Sequence, residues 1–289
     1  MNGLPVAVES WRDAGRFLDV DGRRIFVTTA GDRGPHVMIL HGFPASSYDW
    51  RTVIPHLAGK AQVVAFDFLG YGLSDKPADP RVTLFDQADL AEDVAEALGI
   101  ERCTLVAHDM GDTVAAELMA RHTSDDFSLQ IDGAILTNGS IFIDMAQLSP
   151  GQQLLLQLPD EPLADPLPTD GFRDGIAATF STDHPPSDAD VDAMLALIRH
   201  NGGDRLLPRL IRYIEERRTN QDRWTSGLVD FRGRLTAIWG EQDPIAVVAM
   251  TERLKELRFA LDLVTWPDVG HWPEIEVPER LAGEILERI

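Results

Sequence analysis

The chain has 289 residues, of which 44% are hydrophobic, and it is long enough to bury the core of one large α/β domain that carries an insertion. Its 47 acidic side chains outnumber its 26 basic ones and give a net charge of -21, which would repel nucleic acid and anionic membranes. We therefore expect neither of them as a partner, and we expect instead a small, neutral, apolar substrate, which this negative field would hardly affect.

Short apolar runs alternate with helical patterns along the chain. Runs typical of strands occupy residues 24–29, 36–40, 62–66, 103–107, 133–137, 235–239 and 261–266, and helical spacing occupies residues 84–98, 113–121 and 279–289. This alternation predicts an α/β fold with a mostly parallel central sheet and helices on both of its faces.

The pattern changes between about residues 144 and 225, where strand signals stop and proline, glycine and helical stretches take over. Helices are predicted at residues 154–158, 189–199 and 206–218, with chain breakers such as Pro185-Pro186 and Gly202-Gly203 between them. We interpret residues 145–225 as an inserted helical cap over a core formed by residues 1–144 and 226–289. A substrate is expected beneath this cap.

No targeting or membrane-spanning segment is evident in the sequence. Residues 1–13 lack a cationic start followed by an apolar block, and no apolar run approaches the length of a membrane span. The single cysteine, Cys103, excludes an intramolecular disulfide and lies in a predicted strand, where it is expected to pack. We expect a cytoplasmic monomer or homodimer that uses neither a metal ion nor an organic cofactor.

The sequence Leu-Val-Ala-His-Asp-Met-Gly-Asp at residues 105–112 joins a predicted buried strand to a predicted helix. It puts Asp109 at the sharp turn between them, which is the position of the nucleophile in a strand–turn–helix elbow. An aspartate with an ordinary pKa of about 3.9 is ionised near neutral pH and needs no base to attack. Attack on an ester would form a high-energy mixed anhydride, whereas attack on a saturated carbon forms an ordinary alkyl ester. The aspartate therefore indicates an alkylating substrate such as an epoxide or a haloalkane.

Two further motifs supply the partners that such a nucleophile needs. Asp243 follows the predicted strand 235–239, and His271 lies on the loop after the next strand, so nucleophile, acid and histidine follow one another along the chain. We predict that His271 acts as a general base and that Asp243 orients it. Glu241 is a competing carboxylate in the same loop, and Asn138, which follows another strand, cannot supply a charge.

His41-Gly42-Phe43-Pro44 follows the predicted strand 36–40. The backbone N–H of Phe43 and that of Met110, the residue after Asp109, are the predicted oxyanion hole. His41 and His108 are expected to brace the adjacent loops by hydrogen bonding, and His41 is also a candidate for the substrate pocket.

The predicted cap contains one tyrosine, Tyr213, whose phenol could donate a proton to the alkoxide that an opening epoxide forms. The apolar residues on either side of it leave open a purely structural role on an amphipathic helix. Trp224 is a second candidate for the substrate pocket, and His184 and His200 are other candidate donors in the cap.

These motifs resemble those of the epoxide hydrolase and haloalkane dehalogenase branch of the α/β-hydrolase superfamily, and the likeness extends over nearly the whole chain. The segments that carry it are His41-Gly42-Phe43-Pro44, residues 67–77 (Asp-Phe-Leu-Gly-Tyr-Gly-Leu-Ser-Asp-Lys-Pro), the elbow His108-Asp109-Met110-Gly111 and Gly270-His271. Residues 43–50, 136–142 and 212–224 look most similar to the mesoderm-specific transcript group and its bacterial relatives. The resemblance implies an α/β-hydrolase fold with an inserted cap, a triad of Asp109, His271 and Asp243, and no cofactor.

Several positions differ from that branch. Ala107 replaces the usual first glycine of the elbow, Met110 and Phe43 stand where dehalogenases carry halide-binding donors, and Tyr213 is the one cap tyrosine where epoxide hydrolases have two. We expect a hydrolase that opens small apolar epoxides to vicinal diols through an aspartyl alkyl-enzyme ester. The alternatives are a haloalkane dehalogenase with the same nucleophile, a non-catalytic ligand-binding protein, and a cofactor-free oxygenase or lyase.

Overall fold

The computed structural model describes residues 3–79, 81–122 and 127–289 of the chain. Within these ranges the chain forms eight strands, β1 to β8, at Arg16–Val20, Arg23–Ala30, His36–Leu40, Gln62–Phe66, Arg102–His108, Gln130–Thr137, Arg234–Gly240 and Asp262–Trp266. They make one sheet in the order β1-β2-β4-β3-β5-β6-β7-β8. The β1–β2 and β2–β4 pairs are antiparallel, and every other neighbouring pair is parallel. The predicted α/β fold with a mostly parallel sheet is confirmed.

The first strand, β1, lies outside the predicted strands. Its sequence, Arg-Phe-Leu-Asp-Val, lacks the longer apolar run of a central strand. This strand forms an edge of the sheet, and most of its side chains stay at least partly exposed, so it does not need such a run. It pairs with β2 through the two-residue turn Asp21-Gly22, where both residues have a positive φ, of 51° and 75°. A hairpin turn of this kind favours Asp-Gly because both central residues need left-handed backbone.

Helices cover both faces of the sheet. The α-helices α1 to α12 of the described residues occupy Val6–Ala14, Ile54–Leu57, Leu84–Ala97, Met110–Arg121, Pro150–Gln157, Thr169–Ala177, Asp188–Arg199, Leu207–Leu210, Tyr213–Asp230, Ala249–Leu257, Pro273–Glu276 and Pro278–Leu286, and 3-10 helices occupy Ser47–Thr52 and His200–Leu206. None of the helices in the described part of the chain is both long and apolar enough to cross a membrane.

The two faces of β3 enter different hydrophobic layers. Val37 and Ile39 pack in one layer with Leu57 of α2, whereas Met38 and Leu40 pack in the other layer, which includes α4. A parallel strand that is covered by helices on both faces must be apolar at every position. The uninterrupted apolar run in β3 therefore reflects its place near the centre of the sheet.

The region interpreted as a cap differs from its prediction in three ways. The helix predicted at residues 206–218 is divided into α8 and α9, because hydrogen bonds between residues three apart tighten the chain at Ile211 and Arg212. α9 then continues past residue 225 to Asp230, and the predicted end at residue 218 lies within its polar stretch of residues 215–223. α6 lies outside the predicted helices because its sequence contains Gly171 and Gly175, and glycine is a weak helix former.

α9 packs closely along α4, the helix that follows Asp109. A Cβ atom on Gly227 would overlap the backbone oxygen of Ala116, so only glycine allows this approach. Nearer the start of α9, Nε of Arg217 donates to Oγ1 of Thr113 at 2.7 Å, so the same helix also reaches the first turn of α4. α9 is thus held against the helix that begins after Asp109.

Gly227→Ala should lower the free energy of unfolding by about 1–3 kcal/mol, because the new Cβ meets backbone that can move only if the two helices separate. Gly283→Ala in α12 is the matched control: its Cβ would meet nothing within 4 Å, and helix propensity should raise stability by up to about 1 kcal/mol. Urea unfolding followed by circular dichroism measures both variants. Equal stability of the two would contradict the close packing of α9 on α4.

Candidate active site

Asp109 lies at the turn between β5 and α4, with φ 49° and ψ -109°. A positive φ is strained in a residue other than glycine and persists only where the surrounding structure enforces it. Gly42 and Gly111 leave the space that this turn needs, because a Cβ on Gly42 would lie 2.7 Å from Cβ of Asp109 and one on Gly111 would overlap the backbone oxygen of Leu40. Ala107, the departure from the usual glycine, is fully buried just before the turn. The turn is a strand–turn–helix elbow with an aspartate at its apex.

The backbone N–H of Phe43 donates to Oδ2 of Asp109 at 2.9 Å, and both residues are buried. It is one of the two N–H groups predicted for an oxyanion hole, and here it binds an oxygen of the carboxylate itself. Met110, the other predicted donor, is the first residue of α4, where an N–H has no acceptor within the helix. The loop after β3 and the start of α4 therefore frame the carboxylate of Asp109.

Asp243 and His271 meet beside the elbow. Nδ1 of His271 and Oδ2 of Asp243 are 2.8 Å apart, both side chains are buried, and the ring of His271 lies 4.9 Å from that of His108. Oδ1 of Asp243 accepts the backbone N–H groups of Ile245 and Ala246 at 2.7 and 3.0 Å. Both oxygens of Asp243 are therefore held. With Nδ1–H donated to Asp243, Nε2 of His271 is the nitrogen that can act as a base.

The pKa of His271 lies above its ordinary value of 6.5. Burial alone would lower this pKa, but the charge of Asp243, the hydrogen bond to it and the nearby charge of Asp109 outweigh burial. His271 is therefore a stronger base in this site than a free histidine would be.

Asn138 holds Asp243 in place, a role that its residue type did not indicate from sequence. Its Nδ2 donates to Oδ2 of Asp243 at 2.8 Å, and its Oδ1 accepts the N–H of Gly240 at 2.9 Å. Asn138 follows β6 with a positive φ of 47°, a conformation in which asparagine is more common than most residues. Glu241, the competing carboxylate, has an exposed side chain, so Asp243 is the acid of this loop that meets His271.

Both ring nitrogens of His41 are bonded to backbone groups. Nδ1 lies 2.8 Å from the oxygen of Gly42, and Nε2 accepts the N–H of Phe68 at 2.9 Å. Burial lowers the pKa of His41 to about 4, so the ring is neutral. A substrate contact through a ring nitrogen would break one of these bonds, and the place of His41 in the substrate pocket stays a prediction.

His108, directly before Asp109, supports the loop of His271. Its Nε2 donates to the backbone oxygen of His271 at 2.8 Å, and its Nδ1 lies 3.2 Å from Oε1 of Glu274. Burial lowers the pKa of His108 and raises the pKa of Glu274, each well away from its ordinary value. Burial thus favours the neutral forms of both groups, and the bond from Nε2 of His108 fixes the backbone that carries the base.

Tyr213, the first residue of α9, reaches the site from the inserted helices. Its residue is 4% exposed, and its ring centre lies 5.3 Å from that of Phe43. The pKa of the phenol is raised by burial first and by the charge of Asp109 next, whereas Arg217 and Gln152 lower it. The phenol therefore stays protonated and lies within the electrostatic range of Asp109.

Two residues near Asp109 are absent from the candidates that the sequence supplies. Nη2 of Arg217 donates to the backbone oxygen of Asp109 at 2.9 Å and lies 3.9 Å from its Oδ1. Tyr71 donates from its phenol to Sδ of Met110 at 3.3 Å, and its pKa is raised by burial first and then by the neighbouring Tyr213 and Asp109. The sequence contains one indication of each residue. Arg217 is one helical turn after Tyr213, and Tyr71 lies inside residues 67–77, a segment that carries the family resemblance.

Trp224 has a structural partner. Its Nε1 donates to Oε2 of Glu117 at 2.9 Å, and both Arg121 and Arg223 also pair with that carboxylate. Trp224 also lines a small cavity between α4 and α9, together with Arg217. Its place in the substrate pocket stays a prediction.

The two other candidate donors, His184 and His200, have different surroundings. His184 is partly exposed, with its Nε2 3.4 Å from Oδ2 of Asp268. His200 is partly buried, and burial lowers its pKa. Among the residues that the structure describes, no three His, Cys, Asp or Glu side chains cluster so that they could hold a metal ion.

The sheet order, the elbow and the Asp243–His271 pair define an α/β-hydrolase. Residues 35–278 match the family described as alpha/beta hydrolase fold, and the chain belongs to that family. It is 38% identical over 281 residues to the LipZ protein of Mycobacterium tuberculosis, and the aligned region covers 97% of each chain. It is 33% identical over 291 residues to the mesoderm-specific transcript protein of Mus musculus, which covers 95% of this chain and 85% of that one.

A solved structure of a haloalkane dehalogenase loop variant from Bradyrhizobium elkanii is also similar. It has a TM-score of 0.77 at 21% identity and covers 94% of this chain and 95% of that one, so the likeness concerns the fold. The resemblance to this superfamily, and within it to the mesoderm-specific transcript group, is confirmed. The protein is therefore a hydrolase of the α/β fold.

The pKa of His271 can be measured by NMR titration of its imidazole nitrogens. In the wild type, His271 should titrate above 6.5. Asp243→Asn should lower this pKa, because the charge that favours the imidazolium is lost while burial, which disfavours it, is kept. Asp268→Asn, which alters the partly exposed partner of His184, is the matched control and should leave the titration of His271 unchanged. An unaltered pKa in Asp243→Asn would show that Asp243 does not tune the base.

Proposed function

We propose that the protein opens small, neutral, apolar epoxides to vicinal diols through an ester formed on Asp109, beneath a cap formed by α5 to α9. One observation carries the proposal: an aspartate occupies the apex of the elbow, with the N–H of Phe43 on its Oδ2 and the protonated phenol of Tyr213 nearby. A serine at that position would favour attack on the carbonyl carbon of an ester, whereas a carboxylate favours attack on a saturated carbon. The phenol then favours an electrophile whose leaving oxygen needs a proton.

In the first half-reaction, Oδ1 of Asp109 attacks a ring carbon of the epoxide, and the bond between that carbon and the ring oxygen breaks. The electron pair of that bond stays on the oxygen, and the alkoxide takes a proton from Tyr213. Because the N–H of Phe43 binds Oδ2, that oxygen becomes the carbonyl oxygen of the ester. The raised pKa of Tyr213 keeps the proton on the phenol until a basic alkoxide forms.

In the second half-reaction, Nε2 of His271 takes a proton from water, and the resulting hydroxide attacks the carboxyl carbon of Asp109. The negative charge that forms on Oδ2 is bound by the N–H of Phe43, and one such donor contributes about 3–4 kcal/mol in comparable sites. The ester bond then breaks, and the departing alkoxide takes the proton from His271 to give the diol. Asp243 stabilises the imidazolium between these steps.

Haloalkane hydrolysis through the same aspartate is the second candidate, because the elbow serves both reactions. A departing halide is stabilised by N–H donors close to the attacked carbon. The side chains of Met110 and Phe43 offer none, and Trp224 donates its N–H to Glu117. The phenols of Tyr213 and Tyr71 can supply the proton that an alkoxide needs and a halide does not, and this favours the epoxide. Ligand binding without catalysis is a third alternative.

His271→Gln should let the ester form on Asp109 and block its hydrolysis, because the base acts only on the water of the second step. After incubation with a mixed panel of small epoxides and haloalkanes, mass spectrometry should find added mass on the peptide that contains Asp109. The mass of a whole epoxide supports epoxide opening. The mass of an alkyl group without its halogen supports halide displacement.

Two variants control this experiment. Asp109→Ala should abolish turnover and the adduct, whereas His56→Gln, at an exposed position of α2, should keep normal turnover. Normal diol formation by either Asp109→Ala or His271→Gln would refute the assigned roles. A protein that binds panel compounds without ever forming an adduct or a product would be a ligand-binding protein.

Tyr213→Phe should slow ester formation from an epoxide by about 100-fold, the scale of general acid catalysis, because the alkoxide loses its proton donor. Halide displacement should change far less, since a halide leaves as a stable anion. Rapid-quench mass spectrometry of the ester measures both rates. Tyr48→Phe, at another buried tyrosine, should affect neither. Equal slowing of the two reactions by Tyr213→Phe would remove its role as proton donor.

A further inference from the structure

Arg217 places a buried guanidinium between the inserted helices and Asp109. The residue is 2% exposed, its Nη2 donates to the backbone oxygen of Asp109 at 2.9 Å, and its Nε donates to Oγ1 of Thr113 at 2.7 Å. The guanidinium carbon lies 4.7 Å from the ring centre of Tyr213, and the charge of Arg217 lowers the pKa of that phenol. One side chain thus joins the elbow, the first turn of α4 and the candidate proton donor.

The positive charge of Arg217 is balanced by the carboxylate of Asp109. Burial of a guanidinium is unfavourable unless an opposite charge offsets the loss of its hydration. Its ion-pair partner is Oδ1 of Asp109 at 3.9 Å, whereas burial raises the pKa of the neighbouring Asp112 well above its ordinary value and leaves that carboxyl uncharged. Arg223, on the same helix, instead forms an ion pair with Glu117 at 2.7 Å. Arg223 therefore anchors α9 to α4, whereas Arg217 lies beside Asp109 and Tyr213.

The position of Arg217 also suits the phenol. Arg217 and Tyr213 are one turn apart on α9, so they share a face of the helix. A guanidinium this close to a phenol stabilises the phenolate more than the phenol, because the phenolate carries the opposite charge. Release of the Tyr213 proton is therefore easier beside Arg217 than it would be in an equally buried site without a cation.

We propose that Arg217 is a positioning residue that fixes the Tyr213 phenol relative to Asp109 and stabilises the phenolate that forms when the epoxide opens. This role rests on the proposed function and deepens it. The O–H bond of Tyr213 breaks as its proton passes to the alkoxide, and Arg217 pairs with the phenolate. After hydrolysis of the ester, the carboxylic acid of Asp109 returns a proton to the phenolate. One water molecule is consumed, and every group regains its starting state.

Arg217→Met and Arg217→Lys test this role in the His271→Gln protein, where the ester accumulates. Rapid-quench mass spectrometry follows ester formation from a small epoxide and from a bromoalkane of similar size, whose leaving group needs no proton. Arg217→Met should slow the epoxide reaction by about 100-fold and bromide displacement by less than about tenfold. Arg217→Lys should restore part of the epoxide rate. That rate should fall with rising pH in Arg217→Met, because protons from solution replace the phenol.

Arg218, the exposed neighbour on α9, is the matched control, and Arg218→Met should change neither rate. Equal slowing of both reactions by Arg217→Met would overturn the proposed role and leave Arg217 as a structural link. No ester on Asp109 with any compound of the panel would overturn the proposed function, and this role with it.

A second measurement does not depend on turnover or on the methionine variant. In protein labelled with carbon-13 at the Cζ atoms of tyrosine, Arg217→Lys should shift the resonance of Tyr213, whereas Arg218→Lys should not. A resonance of Tyr213 that is the same in both variants would show that Arg217 does not act on the phenol, and this would overturn the proposal.

Discussion

The buried carboxylate of Asp109, held in a strained turn, is the constraint on which the rest of the structure depends. Left-handed backbone outside glycine costs about 1–3 kcal/mol, and a buried charge costs more unless polar groups face it. At Asp109 those groups are the N–H of Phe43 and the guanidinium of Arg217. Gly42 and Gly111 supply the space, since a side chain at either would meet the turn or the strand beside it.

Burial changes the pKa values of the ionisable groups around this carboxylate. Four of them have pKa values that burial moves toward their neutral forms, namely His41, His108, Asp112 and Glu274. His271 moves the other way, because Asp243 and Asp109 face it. Of these neutral groups, His41 and His108 support backbone through their hydrogen bonds. In such an enclosed site each charge acts strongly on a forming oxyanion or alkoxide.

The central strands could be predicted closely. The ranges predicted at residues 36–40 and 62–66 coincide with β3 and β4, because a buried parallel strand is apolar throughout. β1 and α6 could not be found in this way, since an edge strand and a helix with two glycines carry no comparable pattern. The division between α8 and α9 was also hidden, because helical periodicity continues across a turn that only tightens the hydrogen bonding.

Local patterns were enough to propose Asp109, Asp243 and His271 as site residues, because each one follows its own strand, and parallel strands bring their ends to one edge of the sheet. Arg217, Tyr71 and Asn138 join them only in the folded chain. Arg217 and Asp109 are 108 residues apart, and they meet because α9 lies directly on α4, an approach that Gly227 permits. No local pattern encodes a contact across such a separation. Packing between helices from distant parts of the chain decided which cation and which phenols surround the aspartate.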